Sequence, residues 1–223
     1  MVSAVADGCL RVPVLLPPVW RALPWRALGA AAGAGLAAAA VARLVPGGPD
    51  PAFALVLLRC AAVAFALGLA FLLDDPARHI TAAVPTRRAV RTGLRMALAV
   101  PLAAVCWTVA LLLIPGRTRP PAGDVTLEAA VLAALALTGA AAAVRCTDEP
   151  QPGAAVAVTS AAGTALALLL PERWALFVAA GSPDWAVAHQ RWAALLALTV
   201  AAGTALLPEP LRRGPSLALR PPH

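Results

Sequence analysis

The chain contains no lysine, so all 18 of its basic residues are arginine. This absence excludes a P-loop lysine that would hold ATP phosphates, a Schiff-base lysine and a Ser/Lys catalytic pair. If ATP drives the protein, another polypeptide must therefore bind it. We accordingly predict no cofactor in this chain.

Charged residues are scarce as well. They make up 13% of the 223 residues, whereas 61% are hydrophobic, and the mean hydropathy is +0.79. Since about a quarter of the residues of a soluble domain are charged, this composition indicates a protein whose solvent is lipid. The net charge of +7 does not indicate a nucleic-acid partner, because the arginines flank apolar runs instead of forming a basic face.

The sequence also lacks the usual motifs of catalysis and metal binding. There is no GxSxG, no HExxH and no pair of intramembrane aspartates, and the four cysteines have neither CxxC spacing nor a nearby histidine. We interpret the cysteines as small buried apolar residues. The chain is thus predicted not to be an enzyme, with no catalytic, cofactor-binding or metal residues.

Long apolar runs, separated by Pro- and Gly-rich breaks, are what the sequence has in place of these motifs. Each run has nearly the length, about 20 residues, that a helix needs to cross the hydrocarbon core. The predicted fold is therefore all-α, a polytopic membrane bundle of about six transmembrane helices. The spans are residues 27–45, 52–73, 96–114, 127–144, 154–170 and 192–207.

The arginines predict the orientation of this bundle, because cytoplasmic flanks of membrane helices carry an excess of basic residues. With the N-terminus inside, twelve arginines lie in inner segments and only four in outer segments. We therefore predict that both termini are cytoplasmic. The chain then divides into an interfacial N-terminal segment (1–26), a transmembrane domain (27–207) and a cytoplasmic tail (208–223).

The inner loop, residues 74–95, is the most charged part of the chain. Asp75 and Pro76 are suited to start a short helix over residues 76–84, and the arginines that follow recur at spacings of three and four. These charges either serve topology alone or form a docking site for a cytoplasmic partner, and the sequence leaves both interpretations open. The arginines of this pattern are Arg87, Arg88, Arg91 and Arg95.

The outer segment, residues 171–191, places the aromatic residues Trp174, Phe177 and Trp185 among charged ones. The sequence Ser182-Pro183-Asp184 can open a short helix there. We predict an interfacial element that lies at the outer membrane surface or dips into the bundle, and that does not span the membrane.

One charged residue falls within a predicted span. Arg59 lies seven residues into the second span, about 10 Å deep at about 1.5 Å per residue, and an intramembrane charge is a candidate for function. Arg59 either pairs with Glu128, at the start of the fourth span, or extends its guanidinium to the outer headgroups.

The layout of these features resembles the permease subunits of type V ABC exporters, specifically the small ABC-transporter permease-like proteins of high-GC bacteria. Six spans with both ends inside follow an interfacial segment containing Trp20 and Trp25. The parts most similar to such permeases are FLLDDPARHITAAVPTRRAVRTGLR and PERWALFVAAGSPDWAVAHQRWAALLAL. They correspond to that family's coupling helix, between spans two and three, and to its outer helical element, between spans five and six.

The resemblance implies a multi-pass protein of the bacterial plasma (inner) membrane. It would form a homodimer, or a heterodimer with a second permease, and would work with a separate ATP-binding subunit that acts on the coupling segment of the inner loop. In this chain the coupling segment would consist of Asp74, Asp75, Arg78, His79, Arg87, Arg88 and Arg91. The exported substrate would be amphipathic or lipophilic. Two alternatives are a non-transporting membrane partner (an assembly, immunity or anchoring protein) and a membrane enzyme acting on lipid or modified peptide.

Overall fold

All regular elements that the structure describes are helical, which confirms the predicted all-α fold. The structure is a computed structural model and describes residues 19–74, 88–147 and 151–206, of which 88–91 are described by their backbone only. A 3-10 turn, Glu172–Trp174, precedes the last of six long helices. These are α1 (Trp25–Leu44), α2 (Pro51–Ala70), α3 (Arg88–Leu113), α4 (Ala122–Cys146), α5 (Gly153–Leu168) and α6 (Trp185–Leu206).

The turn between α1 and α2 shows how local sequence ends one helix and starts the next. Gly47 and Gly48 both have positive φ (78° and 87°), which only glycine adopts without strain, and they reverse the chain. Asp50 then caps α2, since its Oδ1 accepts a hydrogen bond of 2.8 Å from the Phe53 backbone N–H. Pro51 follows at the first helical position, where its missing N–H costs nothing.

Four described helices are long and apolar enough to cross a membrane: Trp25–Leu44, Pro51–Ala70, Thr92–Leu113 and Ala122–Cys146. The fifth, α5, has 16 residues and would be about 24 Å long, less than the hydrocarbon thickness of about 30 Å. The sixth, α6, has 22 residues, but its second turn is polar and contains His189 and Arg191. The helices thus indicate a membrane protein, while the count of six spans and the orientation stay predictions.

The helix bounds differ most from the expected spans at α6. It begins at Trp185, two turns before residue 192, so residues 185–191 continue into the last helix and do not form a separate short one. Hydropathy places the boundary too late because His189, Gln190 and Arg191 are polar. The initiating sequence is nevertheless the expected one, since the Trp185 N–H donates to the Ser182 carbonyl (3.1 Å). The short helix predicted over 76–84 lies outside the described residues.

Helix α2 lies at the centre of the bundle and contacts α1, α3, α4 and α5, while α6 packs on α4. Half of the α2 span is buried, against 28% or less of the other three spans. Its core consists largely of Leu and Ala, for example Leu55, Leu58, Ala61 and Ala62. Small side chains at these positions let neighbouring helices approach closely.

The closest approach joins α1 and α2, where Gly68 faces the Ala31 methyl group and Gly35 faces the Phe65 ring. In contrast, Gly29 and Gly33, whose GxxxG spacing suggests a packing face, are exposed and have no neighbour within 4 Å of a built Cβ. That face is therefore not used for packing among the described residues. Cys60 and Cys146 are also exposed, so the interpretation of the cysteines as buried residues is wrong for these two.

Gly68→Ala is expected to lower the free energy of unfolding by about 1–3 kcal/mol, because the added methyl group overlaps the Ala31 side chain and forces α1 away. Gly33→Ala is the matched control: its methyl group enters open space, so it should be neutral or stabilise by about 0.5–1 kcal/mol. Reversible unfolding in detergent micelles, followed by helical circular dichroism, measures both. Equal effects of the two substitutions would contradict the packing described.

Candidate functional site

The predicted intramembrane charges, Arg59 and Glu128, are in direct contact. Arg59 Nε donates to Glu128 Oε2 and Arg59 Nη2 donates to Oε1, each at 2.8 Å, which makes a two-pronged salt bridge. The Arg59 side chain is 15% exposed and that of Glu128 is 2% exposed. Arg59 Nη1 also donates to the Val178 carbonyl at 3.0 Å. The guanidinium is thus held by protein groups within the bundle.

The positions of the two residues along their helices explain why these side chains meet. Helices α2 and α4 both begin at the end of the bundle that carries Asp50 and residues 114–121. We call this the outer end, following the orientation predicted from the arginines. Arg59 and Glu128 lie about 12 Å and about 9 Å from the starts of their helices, at about 1.5 Å per residue. They are therefore at similar depth, where pairing lowers the cost of placing each charge in an apolar surrounding.

His189 joins this pair from α6. Its Nε2 lies 3.3 Å from Glu128 Oε1 and its Nδ1 lies 2.8 Å from the Trp185 carbonyl oxygen. The residue is 7% exposed. We call Arg59, Glu128 and His189 the charge cluster.

Sequence reasoning missed His189 because it placed the residue in an outer loop. One signal could have found it. Trp185, His189 and Trp192 are spaced four and three apart, so on a continuous helix they share one face.

The outer segment covers the charge cluster. The Arg59 guanidinium carbon lies over the Phe177 ring, 5.2 Å from the ring centroid. Phe177 also meets Trp192 edge-on, with 5.2 Å between the two ring centroids. Trp185 Nε1 donates to Asp124 Oδ2 at 2.6 Å. Trp174, in contrast, is 60% exposed. Two of the three predicted aromatics therefore insert into the bundle, and the third faces its surroundings.

Backbone carbonyls of the outer segment are fixed by two side chains of α6. Arg191 donates to the carbonyls of Ala175 (2.9 Å) and Arg173 (2.8 Å), and Trp192 Nε1 donates to that of Leu176 (2.9 Å). These bonds satisfy carbonyls that have no helical partner, a strong requirement wherever lipid replaces water. The outer segment is thus a fixed part of the bundle.

An apolar cavity of about 370 Å³ lies inward of Phe177 and Trp192, between α2, α4, α5 and α6. The hydroxyls of Thr159 and Thr164 on its α5 wall donate to carbonyls of their own helix, so they offer the cavity little polarity. A second cavity of about 320 Å³, lined by Ala62, Phe65 and Trp107 among others, lies between α2, α3 and α4. Both suit apolar groups.

At the opposite end of the bundle, here called the inner end, hydrogen bonds connect α2, α3 and α5. Asp74 follows α2, and its Oδ1 accepts a hydrogen bond of 2.8 Å from the Gly153 backbone N–H, the first residue of α5. Arg95, on α3, donates from Nη1 to the Asp74 carbonyl at 3.0 Å and is 8% exposed. We call Asp74, Arg95 and Gly153 the loop clamp, because it closes the base of the inner loop.

Of the candidate coupling residues, only Asp74 is described with its side chain. Asp75, Arg78, His79 and Arg87 lie outside the described residues, and Arg88 and Arg91 are described by their backbone in the first turns of α3. Among the described residues no three His, Cys, Asp or Glu side chains are grouped to hold a metal ion.

Replacing one member of the salt bridge leaves the other charge buried and unpaired, so Glu128→Leu and Arg59→Leu should each lower the free energy of unfolding by about 3–5 kcal/mol. The double variant should lose much less than the sum of the two, because no unpaired charge remains. Glu172→Leu, at an exposed position, serves as control and should change stability by less than about 0.5 kcal/mol. Additive single losses would contradict a buried, mutually dependent pair.

Comparison of the chain with models of known protein families, with curated proteins and with solved structures gives no match. The resemblance to exporter permeases thus stays a prediction. The interpretation of the charge cluster and of the loop clamp depends on their contacts alone.

Proposed function

We propose that this chain is the membrane-spanning permease subunit of an ATP-driven exporter in the bacterial plasma membrane, working with a separate ATP-binding subunit. Its apolar helices and the absence of lysine are consistent with a subunit that spans the bilayer and leaves ATP to a partner. The layout of the inner loop and the outer segment supports the same assignment.

The loop clamp is the observation that carries this proposal. A coupling segment must pass motion of a cytoplasmic partner on to the membrane helices, so its base needs to be connected to several of them. In the sequence, residues 75–87 connect Asp74 to α3, and Asp74 itself binds Arg95 of α3 and Gly153 of α5. A displacement of this loop therefore acts on the inner ends of α2, α3 and α5 together.

The loop clamp leaves no space for a side chain at position 153. A Cβ at position 153 would lie 2.7 Å from Asp74 Oδ2 and 2.7 Å from the Phe71 ring, so this contact requires glycine. The carboxylate also lies at the positive end of the α5 dipole, which strengthens the contact.

An amphipathic or lipophilic substrate fits the interior. The two cavities of about 370 and 320 Å³ are almost wholly apolar. Many large apolar side chains of α3, α5 and α6 are exposed on the surface of the single chain, for example Val105, Leu112, Leu166 and Leu198. These faces suit lipid and a second permease subunit, so we propose a dimer.

The first test is co-purification. The tagged full-length chain, extracted in detergent from its native host, should bring down a protein with GxxxxGK[ST], and the complex should hydrolyse ATP. Reversing two inner charges, Arg87→Glu with Arg88→Glu, should weaken the complex, because both lie in the proposed coupling segment. The matched control is Arg117→Glu with Arg173→Glu, two exposed arginines of the outer end, which should leave it intact.

Absence of such an ATPase from the purified chain would instead favour a non-transporting membrane partner. Retention of the complex in the Arg87/Arg88 variant would exclude this loop as the docking site.

A second test separates coupling from binding. Asp74→Ala removes the hydrogen bond to the N-terminus of α5, which is worth about 1 kcal/mol. The complex should persist, but the effect of the permease on the ATPase rate of its partner should become about fivefold smaller. Asp50→Ala is the matched control, because Asp50 also accepts a backbone N–H at 2.8 Å, but at the outer end. Equal effects of both substitutions would show that a lost helix cap, and not the loop clamp, is responsible.

A further inference from the structure

His189 lies between two groups that can only accept hydrogen bonds. Its Nδ1 lies 2.8 Å from the Trp185 carbonyl oxygen, and its Nε2 lies 3.3 Å from Glu128 Oε1. A carbonyl oxygen and an ionised carboxylate oxygen cannot donate. Both ring nitrogens therefore need to carry a proton for both contacts to be favourable.

A neutral imidazole has only one N–H. If that N–H is on Nδ1 and donates to the Trp185 carbonyl, the lone pair of Nε2 faces the Glu128 carboxylate. Nε2 is fully enclosed and has no hydrogen bond to any described residue. With Glu128 1% exposed, no bulk water relieves this opposition of two acceptors.

One added proton removes the conflict. On Nε2 it makes an imidazolium that donates to Glu128, and on Glu128 it makes a carboxylic acid that donates to Nε2. In both cases the same proton lies between the same two atoms, so the pair binds it as a unit.

Charged groups on three helices surround His189. Helix α2 contributes Arg59, and α4 contributes Glu128 and Asp124. Asp124 reaches His189 only through Trp185, because it accepts a hydrogen bond from Trp185 Nε1. The centroid of the Trp185 ring lies 4.4 Å from that of the imidazole ring. Arg191, on α6 itself, is directed to the carbonyls of residues 173 and 175.

We propose that His189 and Glu128 form a binding site for one exchangeable proton near the outer end of the bundle. The bound proton joins α6 to α4. Its release leaves two acceptors opposed at 3.3 Å and weakens the attachment of α6 and of the outer segment, whose carbonyls Arg191 and Trp192 hold. The site depends on the cluster alone and does not require the proposed ATPase partner.

Trp185 provides the measurement, because an imidazolium stacked on indole quenches its fluorescence more than a neutral imidazole does. The full-length chain in lipid nanodiscs should show a one-proton change in tryptophan fluorescence between about pH 5 and 8, the range in which histidine side chains change charge. The change should disappear in His189→Gln and in Trp185→Phe. His79→Gln, at a histidine of the inner loop, is the matched control and should retain it.

In Glu128→Gln the transition should move to lower pH by at least about one unit, a tenfold loss of proton affinity, because the carboxylate that shares the proton is gone. An absent transition in the unaltered chain, or one that persists in His189→Gln or stays in place in Glu128→Gln, would overturn the proposal.

If a variant does not fold, ¹⁵N-histidine NMR of the unaltered chain decides the question. The His189 signal must show protons on both ring nitrogens, or one proton shared with a carboxyl group, at low pH and must lose that proton as the pH rises. His79→Gln and His223→Gln assign the other two signals.

Discussion

The buried contact between Arg59 and Glu128 is the constraint on which the outer half of this bundle depends. Two charges in an apolar surrounding are tolerated only when each satisfies the other, so α2 and α4 must hold their relative depth to keep the two-pronged bridge. Phe177 packs on the guanidinium and Val178 accepts from it, which attaches the outer segment to the same point. His189 brings α6 to it.

Away from this point the helices rely on small residues. Alanine and glycine give little apolar area, and lipid is as apolar as their methyl groups, so the helices gain mainly from close approach, as at Gly68 and Ala31. Such packing is weakly specific because many alanines are interchangeable. The polar contacts at the two ends, the charge cluster and the loop clamp, supply the specificity that an alanine-rich interior lacks.

The sequence predicted the helical fold and approximate positions for all six helices, because long apolar runs and Pro/Gly breaks are local signals. It was least accurate at α6, where His189 and Arg191 look like loop residues until their partners are known. The GxxxG spacing of Gly29 and Gly33 suggests a packing face, whereas Gly35 and Gly68 are the glycines that make the contact between α1 and α2. Spacing alone does not say which side of a helix faces a neighbour.

By itself the sequence determined the lipid solvent, the helical class, the absence of lysine chemistry and the two residues, Arg59 and Glu128, that could pair within the membrane. Only the tertiary structure decided that they do meet, that His189 completes the cluster, and that Asp74 joins three helices at the base of the inner loop. The physical reason is that hydropathy is a sum over neighbours in sequence. A hydrogen bond between residues 74 and 153, or an ion pair between 59 and 128, depends instead on the relative depth and rotation of helices.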